Sequence, residues 1–177
     1  AENVVGETES DRVSIEVILD TTAPDAPATS LSEFINSTSA SVSFSNTTDV
    51  ASIEASWDPD FTVLMTESPN SLVAFTLPTD ANGGTSEGAY NLYVRYVDAA
   101  GNRSSAVTLS TVYDATQPSI LAAQVNYGEI YVASATSVPV EVTCFDSIAD
   151  TNELTLLVND SSEAELYNGA YSPLVTV

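Results

Sequence analysis

Apolar and polar residues alternate with a period of two along most of this chain, and helical periodicity is almost absent. The alternating runs are rich in Val, Thr, Ser, Tyr and Ile. They are short and are punctuated by Asn, Asp, Gly and Pro. Side chains on a strand point to opposite faces in turn, so such runs predict strands with one buried and one wet face. Many short strands between turn-forming clusters predict an all-β fold built from sandwiches.

The clearest stretch is "YNLYVRYVDAAGNRSSAVTLSTVYDATQP", Tyr90 to Pro118. Two alternating runs flank an Asp-Ala-Ala-Gly-Asn turn, and the second run ends in Asp-x-Thr-x-Pro. A weaker copy of its second half opens the chain, where "VSIEVIL" runs into Asp20-Thr-Thr-Ala-Pro24. The two Asp-x-Thr-x-Pro junctions lie about one immunoglobulin-like domain apart, roughly 100 residues. Proline after a strand stops the ladder and stiffens the connection. A second repeat agrees: Gly88-Ala-Tyr90 and Gly169-Ala-Tyr171 each open a strand-like run. Tyr90 and Tyr171 are candidates for a tyrosine corner, or else ordinary half-buried strand aromatics.

These repeats divide the chain into three. Residues 21–114 read as a complete sandwich. Its predicted strands are Ala28–Leu31, Ala40–Ser45, Ile53–Trp57, Phe61–Met65, Ser71–Leu77, Ala89–Val97 and Ala106–Tyr113. Residues 115–177 read as a sandwich lacking its last strand, with runs near Ile120–Val125, Ser137–Cys144, Glu153–Val158 and Tyr171–Val177. Residues 1–20 read as an orphan last strand. Placed end to end, "GAYSPLVTV" and "AENVVGETESDRVSIEVILDTTAP" reproduce the layout of Gly88–Pro118 at nearly the same length. The expectation is that the chain boundaries cut one sandwich between its last two strands. Either a covalent array continues through the cut, or Val13, Ile15, Val17 and Leu19 insert as a donated strand into a neighbouring copy. Head-to-tail repetition of that contact does not close and builds a fibre.

Charge limits the partners. The chain carries 25 acidic residues against three arginines, with no histidine, for a formal net charge of −22. Phosphate neutralisation has the wrong sign, which argues against nucleic acid, and attraction to anionic membranes fails likewise. No apolar run approaches membrane-spanning length. A cation is the natural small partner; a solubilising surface is the plainer account of the same charge. The single cysteine, Cys144, cannot form an internal disulfide and ends an apolar run, as a small buried hydrophobe would. Trp57 reads as core packing.

At "GAYNLYVRYVDAAGN", "LDTTAPDAP" and "VYDATQPS" the chain resembles the bacterial immunoglobulin-like repeats of large secreted adhesins and biofilm surface proteins. The likeness covers the middle unit well and the outer pieces in part. It implies tandem sandwiches serving as an extracellular, cell-surface stalk. It also implies calcium at the domain junctions. The candidate ligands are Asp20, Asp98 and Asn102 at one junction, with Asp25 and Asp49 nearby. At the other they are Asp114, Asp146 and Asp150, with Glu2 and Asn3 arriving across the join. Calcium needs about six to eight oxygens, which carboxylates, amides and carbonyls could supply. Asp98 and Asn102 could equally just shape their turn around Gly101.

Without histidine or lysine, the usual general bases, Schiff-base amines and thiol–imidazole pairs are missing, so the chain is not expected to be an enzyme. Asn36, Asn46, Asn102 and Asn159 lie in Asn-x-Ser/Thr patterns that could carry glycan. The expected function is a structural rod of an adhesin or surface filament, whose glycan or host receptor is unspecified. A strand-donating fibre subunit and a carbohydrate-binding module of a secreted enzyme are the alternatives.

Overall fold

The structure is a computed structural model describing residues 15–129, 138–148, 153–157 and 165–176. Val13, Asp150, Glu2, Asn3 and Asn159 lie outside these residues. Among the described residues the fold is all-β: thirteen strands, one short 3-10 turn and no α-helix.

Eight strands belong to the middle of the chain: β1 (Ala28–Leu31), β2 (Phe34–Ile35), β3 (Ser39–Ser45), β4 (Ser52–Ser56), β5 (Met65–Glu67), β6 (Leu72–Thr76), β7 (Gly88–Val97) and β8 (Val107–Tyr113). They make two sheets, ordered β1-β3-β6 and β2-β8-β7-β4-β5. All pairings are antiparallel except β2 against β8, which is parallel. The alternation read from the sequence is realised: in β3, Ala40, Val42 and Phe44 are buried while the serines between them are exposed. In β7, Leu92, Val94 and Tyr96 are buried on one face.

These inward residues meet. Val42 and Phe44 (β3) and Val73 and Phe75 (β6) form one cluster with Ile53 and Ala55 (β4) and Leu92, Val94 and Tyr96 (β7). The two sheets thus share a single sandwich core. Phe44 lies edge-on to Phe75, at 6.3 Å between ring centroids. Burying such side chains contributes about 1.5–3 kcal/mol each and drives the assembly. Two tyrosine and tryptophan contacts tie the layers at their polar ends. Tyr96 donates its hydroxyl to the Ser45 carbonyl at 2.9 Å, and Trp57 donates its indole N–H to the Thr76 carbonyl at 2.8 Å. Trp57 also stacks edge-on against Tyr90, so it is a packing residue.

Two strand assignments need correction here. The run Phe61–Met65 is not a strand. Asp58 accepts N–H bonds from Asp60 and Thr62 and a bond from the Thr62 hydroxyl, which folds the chain into a turn with Phe61 at φ 54°. Strand β5 begins only at Met65. The short β2 was not expected at all; it exists because β8 offers it a parallel edge.

Residues 119–176 form two smaller sheets. Strands β9 (Ser119–Val125), β10 (Pro139–Phe145) and β13 (Leu174–Thr176) are ordered β13-β10-β9, while β11 (Glu153–Leu157) pairs with β12 (Glu165–Ala170). Val140, Val142 and Leu154 are buried together, with Cys144, Tyr167 and Tyr171 packed against them. Cys144 is therefore a packing thiol, half-buried. The expected continuous strand Tyr171–Val177 is replaced by a break. Tyr171 to Pro173 separates β12 from β13, and the proline, lacking an N–H, cannot extend a ladder. Moreover β13 pairs with β10 as β6 pairs with β3, and not as β7 pairs with β4.

Candidate functional site: the two chain junctions

The Asp-x-Thr-x-Pro repeat is repeated in geometry. Asp20 Oδ1 accepts the Thr22 N–H at 2.9 Å, and Asp114 Oδ1 accepts the Thr116 N–H at 3.0 Å. Each aspartate thus builds a turn from its own side chain, which is why Asp suits this post.

Around the first junction three expected residues come together. Strands β7 and β8 are joined through Asp98-Ala-Ala-Gly-Asn102. Gly101 takes φ 90°, where a side chain would be strained. Asp98 is buried. Its Oδ1 accepts the N–H groups of Ala100 (2.9 Å) and Asn102 (2.8 Å), and its Oδ2 accepts the Asn102 amide at 2.8 Å. These bonds hold the Asp98 carboxyl below the usual carboxylate range, the Asn102 amide being the largest cause. The same Asn102 Nδ2 reaches the incoming chain, at 3.2 Å from the Asp20 carbonyl and 3.3 Å from the Thr22 carbonyl. Its two N–H groups are shared among three oxygens. Asn102 is therefore a clamp between the β7–β8 loop and the segment that leads into the sandwich.

In this arrangement the oxygens of the cluster are bound to one another through an amide. The centre of the oxygen cluster is filled by an amide N–H donor, and both Asp98 oxygens already accept. The Asp20 side chain faces its own turn; only its backbone carbonyl joins the cluster. Asp25 and Asp49 are exposed, Asp49 at φ 63° in the β3–β4 turn. Among the described residues no three Cys, Asp or Glu side chains converge as metal ligands would.

The second junction is built differently. The Asp114 N–H donates to the Ile35 carbonyl at 2.9 Å, which seats it at the end of the β2–β8 pair. Glu87, just before β7, accepts the Ala115 N–H at 2.8 Å and the Thr116 hydroxyl at 2.8 and 2.9 Å through its two oxygens. Asp146 accepts the Ile148 N–H at 3.1 Å in a local turn after β10. Glu87 was not singled out from the sequence. Its signal was its place before Gly88-Ala-Tyr90, but that motif's second copy has Asn168 at the matching position, so the repeat hides it.

Register fixes where the junctions lie. Gly88 faces Tyr113 and Val94 faces Val107 across the β7–β8 pair. The loop that clamps Asp20 is therefore at one end of this hairpin, and Glu87 with Asp114 is at the other. β7 has ten residues, so the ends stand about 30 Å apart at ~3.4 Å per residue.

One charge cluster lies on the same sheet. Glu54 is buried on β4, directly opposite Arg95 on β7. It accepts from Arg95 at 2.7 Å and from Arg103 at 2.9 and 3.0 Å. The Arg103 bond is the main reason its carboxyl titrates below the ordinary range. Arg95 also lies 4.0 Å above the Phe61 ring centroid, so the Asp58 turn caps this ion cluster.

Three of the Asn-x-Ser/Thr asparagines are described. Asn36 is exposed before β3; Asn46 accepts the Ala28 N–H at 3.2 Å; Asn102 is committed to the clamp. A shallow groove beside Asp114, lined by Ser32, Phe34, Ile35 and Asn36, offers one aromatic ring, Phe34. No protein-family model matches this chain, and a search of curated proteins finds no match to it.

Proposed function

We propose that this chain is a structural spacer: immunoglobulin-like sandwiches in tandem, joined end to end, within an extracellular stalk or filament of a bacterial surface adhesin. One observation carries the reading. The chain comes into the middle sandwich at one end of the β7–β8 hairpin and leaves it at the other, and each junction is pinned by hydrogen bonds. A module threaded in this way transmits length, because each added unit extends the chain by about one strand length. The repeated aspartate turn supports the same geometry at both ends. The acidic surface keeps such a molecule soluble and suits a cation-rich exterior. Its partners are then further sandwiches of the same kind, with receptor binding left to other parts of a surface protein.

In this reading the junctions are stiffened by amide and carboxylate hydrogen bonds. A calcium contribution is a separate proposal with its own test: chelator should lower Tm if calcium ties the junctions and leave it unchanged if the Asn102 clamp acts alone. The rod itself is tested by small-angle X-ray scattering on the monomer. An elongated particle, whose longest dimension exceeds that of a compact sphere of this mass at least twofold, is expected. A compact particle would refute the rod.

A further inference from the structure

The fold separates the three described asparagines that stand in Asn-x-Ser/Thr patterns. Asn102 is committed to the clamp, its amide nitrogen shared among three oxygens. Asn46 sits in a corner at φ 51°, and its side-chain oxygen accepts the Ala28 N–H. Asn36 is different. The run Asn36-Ser37-Thr38-Ser39 is exposed throughout, and its first three residues make the bend between β2 and β3. Other groups hold that bend: the Ser37 hydroxyl accepts the Ser39 N–H at 3.2 Å, and the Thr38 carbonyl accepts the Leu77 N–H at 2.8 Å. Among the described residues nothing engages the Asn36 amide.

A groove lies at the same place. Asn36 and Phe34 line one shallow depression of about 460 Å³. That size is within the range of small-ligand sites, about 300–1,000 Å³. Phe34, two residues before Asn36, is 49% exposed. Its ring offers an apolar face on which the C–H side of a pyranose can pack. Ser37, Ser39 and Ser41 bring hydroxyls to the lining and Asp114 a carboxylate, the donors and acceptors that sugar hydroxyls need. None of the residues lining the groove is a cation, so it favours a neutral sugar over an acidic one.

We propose that Asn36 is a glycan attachment site of the folded protein, and that the first sugar, a neutral hexose or N-acetylhexosamine, lies in this groove against Phe34. The donor is a glycosyl diphosphate. The Asn36 amide nitrogen bonds to the anomeric carbon, and the bond from that carbon to the diphosphate oxygen breaks. The diphosphate leaves with the electron pair, and the amide proton passes to a base of the transferase. Thr38 supplies the hydroxyl that completes the acceptor pattern. The site goes beyond the spacer role and does not depend on the rod, since a compact chain would present the same bend and groove.

The folded whole chain, a soluble glycosyltransferase for Asn-x-Ser/Thr acceptors and a nucleotide-diphosphate hexose make the test, read by peptide mass spectrometry and thermal unfolding. Asn36 should gain hexose about tenfold or more faster than Asn46, and Asn102 should stay unmodified. Short peptides carrying the three patterns lack the fold and should react at similar rates. The hexosylated chain should melt about 2–4 °C above the bare chain. Phe34→Ala should still accept hexose at Asn36 but lose that rise, and Phe34→Tyr, which keeps a ring, should retain it. A folded chain that takes no hexose at Asn36, or takes it as fast at Asn46, overturns the proposal. So does the same preference in the peptides, an absent rise in Tm, or a rise that survives Phe34→Ala.

Discussion

At the scale of single residues, the few cations of this acidic chain are placed with care. Arg95 and Arg103 both close on Glu54, whose side chain is only 7% exposed. A carboxylate at that depth needs partners, because leaving water costs several kcal/mol. Glu54→Gln should destabilise the protein by about 2 kcal/mol, below the ~3–5 of a fully buried pair because Arg103 is half-exposed. Its folded carboxyl titrates below 4.5, so its stabilisation is complete above that pH and is lost as pH falls through the folded value. The difference in unfolding free energy between the parent and Glu54→Gln, measured by urea titration, should therefore be constant from pH 7 to 5 and shrink below about 4.5. Asn102 gives a sharper test. Asn102→Asp sets a carboxylate against three oxygens, so Tm should fall, and millimolar calcium should restore it by making the cluster a cation site. A Tm unchanged in calcium-free buffer would show that the amide does not clamp the junction.

At the scale of elements, the sandwich depends on turns as much as on strands. Gly101→Ala keeps open space around the new methyl but forces φ 90° on a residue with a side chain. A loss of about 1 kcal/mol by thermal or denaturant unfolding is expected. Tyr90 donates its hydroxyl to the Ser86 carbonyl at 2.5 Å, four residues upstream, whereas Tyr171 bonds to the β10 backbone at Val142 and Cys144. Tyr90 has the geometry of a corner and Tyr171 that of a cross-strand brace. Tyr90→Phe should cost about 1 kcal/mol, read from the same unfolding curves. The sequence made β1, β3, β4, β6, β7 and β8 legible, because each combines alternation with a turn signal. It did not reveal β2, too short to alternate, or the Asp58 turn, whose apolar Phe61-Thr-Val-Leu-Met65 run imitates a strand. Glu87 escaped for another reason: its partners, Ala115 and Thr116, lie on the far side of a hairpin in sequence.

At the scale of the whole molecule, charge and edge strands oppose each other. Every copy carries a formal charge of −22, so copies repel before any strand can pair. Salt screens that repulsion over a Debye length of about 8–10 Å near physiological strength. Self-association should therefore strengthen as sodium chloride is raised from about 10 mM to 0.5 M, and sedimentation at the two salts checks it. Weakening with salt would mean that ion pairs, rather than apolar strand contacts, hold the copies. The exposed apolar residues of 15–19 and of β9 are the reason to expect contact at all, since contiguous apolar surface tends to find a partner in water.

The sequence by itself determined the class of fold and its punctuation. A period-two pattern can bury one face only as strands, and the Asp-x-Thr-x-Pro turns are local side-chain-to-backbone bonds that need nothing distant. The resemblance to immunoglobulin-like repeats also brought Asp20, Asp98 and Asn102 to one place. What they do there was decided by tertiary structure. Whether an asparagine presents its amide or its oxygen depends on the oxygens that three separate segments deliver to it, and no short motif encodes that meeting. The same holds for Glu54 and its two arginines and for the place of β13 beside β10. Each is a pairing of residues far apart in the chain, selected by register and burial once the sheets have formed.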